Sequence, residues 1–423
     1  MVSNNRWNTR IATVLPVAAT IVFGLVMFIP AAQADQSLII VGQDNPAVDI
    51  PAVQAAVDQG GMVRLKGTFD FGSTGSVVIT NDVDIAGEKG TLVKGGRLTF
   101  NAKVPDQLPP ANPGPKVNIR DIHFDGAAHA PINLAYISGA VVRGNKITNV
   151  AAVNYTPKMD TNTGVIIGPR VVRPAAYIPG VATGTIIIKD NEIDVTPENL
   201  LKTMGWGVFI AWTTGANLFV THNVISGAGR AAVGSLDNYL GPEGTGNTLI
   251  AHNQITTPTE GFYYPTKCAP NGIMAGWYFN MADTFDPAKS APVEVSHNKV
   301  TTHGRWSNGI IVSHNGVVLT SNDVEFIGGQ VPHSRGIASM CPNVRAVGNK
   351  LSGTAAIGFY FFAWEPCTSS NGYYVDNELK DFTALSTDLH FVAGANNNIW
   401  IGPYDSLVDK GTGNQFIDSK SNY

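Results

Sequence analysis

Two histidines and four cations are the part of this sequence best suited to do chemistry. Arg230, Lys267, Arg305 and Arg335 recur along the chain, and His303 and His333 each stand two positions before an arginine, giving His-x-Arg twice. Cations with imidazoles beside them suit a β-elimination on an anionic sugar. There a uronate carboxylate is neutralised while a base takes the proton at C5. On that reading His303, Arg305, His333 and Arg335 are catalytic candidates, and Arg230 and Lys267 hold substrate carboxylates. Hydrolysis of a glycosidic bond would instead need two carboxylates ~5 to 9 Å apart. Asp237, Glu243, Glu260, Asp283 and Asp286 offer candidates, and Asp237 is also read as a substrate contact. For each of these groups the plainer alternative is a solvated loop charge with no further role.

Aromatic residues gather in the same stretch: Trp206, Trp212, Tyr239, Tyr263, Tyr264, Trp277, Tyr278, Trp306, Tyr360 and Trp364. Rings of this kind stack on pyranose faces, and they equally pack beneath loops. Tyr263, Trp277, Trp306 and Tyr360 are taken as substrate-binding candidates. Calcium shared among the acids would require several oxygen ligands at once, which the sequence does not assemble, and nothing in it requires a cofactor.

What must position these residues is a repeat. Asn, one variable residue and then an aliphatic or Phe occurs at Asn145, Asn191, Asn223, Asn253, Asn298, Asn322, Asn349, Asn377 and Asn414. The steps, by subtraction, are 46, 32, 30, 45, 24, 27, 28 and 37. Such a period marks a solenoid whose coils carry loop insertions of varying length. From Val117 each coil reads as three short strands, with the Asn in the bend between the second and third. Asn tolerates left-handed backbone there, and its amide can bond the copies above and below. A Gly followed by aliphatic or aromatic residues marks the first strand, as at Gly164, Gly207, Gly272, Gly309, Gly336 and Gly358. Long Gly-to-Asn intervals place insertions near 169 to 183 and 277 to 292, after the first strand. Outward first-strand positions are then Phe209, Met274, Ile311, Ala338 and Tyr360.

Upstream, Ile50, Val53 and Val57 recur at helical spacing, with Asp49 and Pro51 at the start and Gly60-Gly61 at the stop. A short helix there would cap the open end of the solenoid. Residues 1 to 34 show a basic start, an apolar run and a small-residue end, the three parts of a secretory signal, with a retained anchor as the competing reading. The organisation is therefore 1 to 34 signal, 35 to 116 cap helix and first coils, and 117 to 423 repeats. The expected location is secreted or periplasmic, as a monomer with no stable membrane insertion once the signal is cleaved.

Removing the signal leaves 26 basic residues (28 less Arg6 and Arg10) against 32 acidic ones, which argues against nucleic acid as partner. A polysaccharide suits the residues better. Three cysteines are present, and Cys341 and Cys367 lie 8 and 10 residues before successive repeat asparagines, so they should meet on adjacent coils and can bridge.

With its cap helix, Gly-marked strands and Asn-x-aliphatic coils, the chain resembles the right-handed parallel β-helix superfamily that includes pectate lyases, and more closely its repeat class of carbohydrate-binding proteins and sugar hydrolases. The resemblance spans nearly all of the chain after the signal. It implies an all-β solenoid of about ten coils, with a substrate cleft over the outer face of the first-strand sheet. The local signatures of the superfamily's better-defined enzymes are missing: no Trp-Ile-Asp-His, Arg-x-Pro-x-x-Arg, Asn-Thr-Asp or Gly-His-Gly occurs. A polysaccharide lyase is the first reading, a glycoside hydrolase the second, and a non-catalytic binding or surface-structural solenoid the third.

Overall fold

The computed structural model describes residues 37–418, apart from 107–111, 157–158, 170–180, 197–204, 259–269, 277–289, 304–306, 328–333, 365–366 and 380. It describes backbone alone for 154–156, 159–161 and 364.

Short strands rich in β-branched residues, ended by Gly, Asn or Asp in left-handed conformation, cannot bury their apolar side alone and stack on their own copies instead. Among the described residues the second strands of successive coils form one parallel sheet of 14 strands, from Leu38–Val41 to Gln415–Ile417. The Gly-punctuated segments before Val117 stack in the same array, which therefore begins well upstream of the repeat. First and third strands make the other long sheet. The connections between parallel neighbours take the usual right-handed course, giving a right-handed parallel β-helix.

The register aligns like with like in the interior. Val142, Ile188, Val220, Ile250, Val295 and Leu319 occupy one column and are all 0% exposed. Each such side chain contributes about 1.5–3 kcal/mol by leaving water. The corner where a first strand crosses the third-strand column has no room for a side chain. A Cβ on Gly309 would lie 2.2 Å from Val324 Cγ1, which explains the Gly that marks each first strand.

The repeat Asn forms a continuous internal ladder. From Asn145 through Asn191, Asn223, Asn253, Asn298, Asn322 and Asn349 to Asn377, each Nδ2 donates to the next Oδ1 at 2.9–3.1 Å. Each backbone N–H of Asn145 to Asn349 donates to that same oxygen. Asn414 is the exception. It precedes a second strand rather than a third, and pairs with Asn398 at 3.1 Å in a different turn.

The cap helix spans Pro46–Gln59, one turn longer at its start than the periodicity suggests. Asn45 caps it by accepting from Ala47 N, and Pro46 sits in the first turn where no N–H is needed. Asp49 is not the start signal. Buried at 1% exposure, it accepts from the backbone N–H of Gln43, Asn45 and Asp70, binding helix to first coil. Val53, Ala56 and Val57 face the core.

Cys341 and Cys367 are bridged. The stretches near 169 to 183 and 277 to 292 do fall between a first and a second strand. No described helix is long and apolar enough to cross a membrane. Residues 1 to 34 and Cys268 lie outside the described residues.

Candidate functional site

The outer face of the first-strand sheet is defined by register. Ile166, Phe209, Gly234, Met274, Ile311, Ala338, Tyr360 and His390 stand in one column, rung upon rung. Its aliphatic members belong to apolar clusters separate from the interior core, so the column points outward, as the sequence predicts for Phe209, Met274, Ile311, Ala338 and Tyr360.

Most of this face is closed. Ile166, Met274 and Ala338 are 0–2% exposed, and Phe209 and Ile311 only 6%. Trp206 packs edge-on against Phe209 with ring centres 4.8 Å apart, and lies across the next rung so closely that a Cβ on Gly234 would meet it at 2.3 Å. Trp206 is therefore a packing residue, at 1% exposure. Of these eight residues only Tyr360 and His390, at the C-terminal end, are partly exposed side chains.

Beside it runs a second outward column: Trp206, Ala231, Asn271, Asn308 and Arg335. Asn271 donates to the Arg230 carbonyl at 2.9 Å, and Asn308 donates to Asn271 Oδ1 at 2.7 Å. The described part of this column therefore runs from an indole and a methyl through two amides to the Arg335 guanidinium, with Arg230 one residue before its Ala231 rung.

Arg335 is the centre of the open end. It begins the strand Arg335–Ser339, and its guanidinium carbon lies 4.4 Å from the Tyr360 ring centre and 4.9 Å from that of Phe362. The two rings stand edge to face at 4.1 Å, so the cation sits against a corner made by both. Such a contact is worth about 0.5–2 kcal/mol. Arg335 Nε is buried without a hydrogen-bond partner. Burial lowers the Arg335 pKa, opposed by Tyr360, yet a guanidinium stays charged at neutral pH.

His390 stacks edge-on against the far side of Tyr360 at 5.1 Å. Its pKa is lowered by burial first, then by Lys410 and Arg335, so the ring is neutral near pH 7 and its Nδ1 has no hydrogen-bond partner. Nearby Asp388 and Asp409 are tied into turns, Asp388 by the N–H of Asp405 and Ser406, and Asp409 by Gly411 N and Asn414. Among the described residues Arg335 has no acidic ion-pair partner.

The structure thus brings Arg335 and Tyr360 together out of the sequence candidates. Arg230 is three rungs away and buried at 9% exposure. His303 follows the third strand Lys299–Thr302, with its N–H on Thr257 Oγ1. Asp237 lies at the opposite edge of the sheet, lining a closed pocket with Ser235, Asn238, Ser290 and His314 that has no room for a water molecule. Glu243 is exposed in a turn. Arg305, His333, Lys267, Tyr263, Trp277 and Trp306 lie outside the described residues, as do Glu260, Asp283 and Asp286.

His390, Phe362 and Lys410 escaped sequence reasoning. His390 has no neighbouring motif, and its one sequence signal is the alternation of Leu389, His390 and Phe391, which places the imidazole outward between two core residues.

These features define the class as a right-handed parallel β-helix with a cationic, aromatic opening at the end of its first-strand face. No family model matches the chain, and no curated protein matches it in sequence. Among solved structures it is similar to PfbA, a surface adhesin of Streptococcus pneumoniae, at 11% identity and TM-score 0.43 over 91% of this chain and 93% of that one. It is also similar to the Agl-KA catalytic domain, at 13% identity and TM-score 0.43 over 92% and 69% of the two chains. A third is the Azotobacter vinelandii mannuronan C-5 epimerase AlgE6 A-module, at 12% identity and TM-score 0.38 over 88% and 95%.

Proposed function

We propose that this is an exported protein that binds an anionic, uronate-containing polysaccharide at the C-terminal end of the first-strand face. The observation that carries the reading is the Arg335 guanidinium set against the Tyr360 and Phe362 rings with no acidic partner among the described residues. A carboxylate can take the guanidinium edge, while the partly exposed Tyr360 and Phe362 add apolar contact to a sugar. Export is supported by the signal-like N-terminus and by a disulfide, which persists in oxidising compartments.

A second reading, β-elimination at the same place, is favoured by His390. A neutral imidazole next to a phenol and a guanidinium supplies a base, a proton donor and a carboxylate neutraliser in one cluster. Hydrolysis is less well supported, because the nearby described carboxylates Asp388 and Asp409 are engaged in turns.

The test is a polysaccharide panel against the purified protein, with binding, ultraviolet absorbance of unsaturated ends and release of reducing ends read in parallel. Binding to uronate polymers alone supports the first reading, and unsaturated product supports the second. Absence of binding to every uronate polymer would refute both.

A further inference from the structure

On the other side of the coil, at the bend before the Asn ladder, three successive rungs carry histidine. His222, His252 and His297 immediately precede Asn223, Asn253 and Asn298, and all three are exposed. Their backbones are left-handed, with φ of 57°, 56° and 54°, a conformation in which His joins Asn and Asp as one of the better-tolerated residues. Backbone bonds hold them in register. His222 N donates to Ala251 O, His252 N to Ser296 O and His297 N to Thr320 O, at 3.2, 3.2 and 2.9 Å. The imidazoles stack with centres 5.0 and 4.9 Å apart and planes inclined by 24° and 20°. No ring nitrogen of the three bonds to another described residue.

We propose that this ladder is a surface site for a borderline transition-metal ion, such as Cu²⁺ or Zn²⁺, ligated by two adjacent imidazoles with His252 common to both possible pairs. Two nitrogens on one ion stand about 3 Å apart at bond lengths of ~2.0 Å. Neighbouring rings need only lean toward each other through their own side-chain torsions to close that gap from about 5 Å, the backbones being held one rung apart. The outer rings, His222 and His297, are about 10 Å apart by adding the two spacings, too far to share an ion at that bond length. On each side of the ladder the next rung carries Asp190, already engaged by Arg143 and Lys189, and Ser321. Water therefore completes the shell. Binding exchanges two aqua ligands for two neutral imidazoles and involves no redox step. Imidazole suits Cu²⁺, Zn²⁺ and Ni²⁺, and Cu²⁺ binds tightest in that series.

The arrangement predicts an unequal response to substitution. Asn keeps the left-handed backbone and removes the imidazole, so His222→Asn, His252→Asn, His297→Asn and the double variant H222N/H297N are the informative changes. The full chain is titrated with Cu²⁺, and nitrogen hyperfine structure is read by electron paramagnetic resonance, with thermal melting confirming that each variant is folded. H252N and the double variant should each weaken ladder binding by roughly 10-fold or more and remove the two-nitrogen signature. Either outer single variant leaves one intact pair, so its affinity should fall only about twofold, the statistical factor for losing one of two equivalent pairs. Metal sites elsewhere in the chain are common to all variants and cancel in the comparison. Unchanged binding in H252N, or complete loss in a single outer variant, would overturn the proposal.

Discussion

The Arg335 guanidinium carbon lies over Tyr360, one rung further along the sheet, at 4.4 Å from the ring centre. A cation held across a rung boundary in this way is positioned by the register of the solenoid rather than by a loop.

If this cation receives a carboxylate, Arg335→Gln should weaken uronate-polymer binding by about 10- to 100-fold, the worth of a charge-assisted hydrogen bond. Arg335→Lys should restore little, because the planar fork and its stacking are lost. Titration calorimetry against a uronate oligomer measures both, and wild-type affinity in R335Q would sink the assignment.

The pH profile separates binding from turnover. His390 is held neutral by burial, Lys410 and Arg335, so lowering the pH through its depressed pKa adds a third positive charge beside the bound anion. Binding should then strengthen as pH falls, while a β-elimination using His390 as base should slow. Parallel binding and rate profiles check this, and His390→Gln should flatten both.

Stability should carry a separate pH signature from His314. It is 5% exposed, with Nδ1 donating to the Asn315 carbonyl at 2.7 Å, and burial lowers its pKa below the ordinary histidine value. The unfolded chain takes a proton first, so the stability from His314 is fully present above about pH 6.5 and declines as pH falls through the folded pKa. Urea unfolding at several pH values, compared with His314→Asn, reads the slope that this residue supplies.

Breaking the disulfide should lower stability by about 3.5 kcal/mol on the chain-entropy model, for a sequence separation of 26. The site should feel the loss as well. Met340, next to Cys341, packs with Tyr360 and Phe362, and Ser369 N, just past Cys367, donates to the Phe362 carbonyl. A C341S/C367S variant should therefore melt earlier and bind more weakly. Unchanged affinity in the folded variant would show that the Tyr360 and Phe362 pair needs no such clamp.

Within the Asn ladder, Asn322→Ala should cost about 1–3 kcal/mol, because it removes the oxygen that accepts from Asn298 N and leaves that buried donor unpaired, while Asn298 Nδ2 keeps the Ile250 and Ser296 carbonyls. Denaturant unfolding measures it.

The repeat made the scaffold legible because a bend tolerating left-handed backbone and a core-facing aliphatic recur once per coil. The same phrase misplaced Asn414, since the turn before a second strand asks for the same two residue types. The site was only half legible. Arg335 and Tyr360 could be named, Arg335 from its place at a strand start and Tyr360 from its place within one. Their meeting depends on which rung follows which, and so does the role of His390. Distance from a strand start likewise could not reveal that Asn271 and Asn308 occupy the rungs between Arg230 and Arg335.

Every amide in the Asn ladder points the same way, and every rung offers the same oxygen to the rung before it. Chain length in this protein is therefore quantised. Excising the 27 residues that separate Asn322 from Asn349 would present Asn298 with an equivalent acceptor. A cut of half that length would leave a donor facing a strand. Whole turns can be gained or lost during divergence with the seam resealing itself, whereas fractional ones cannot.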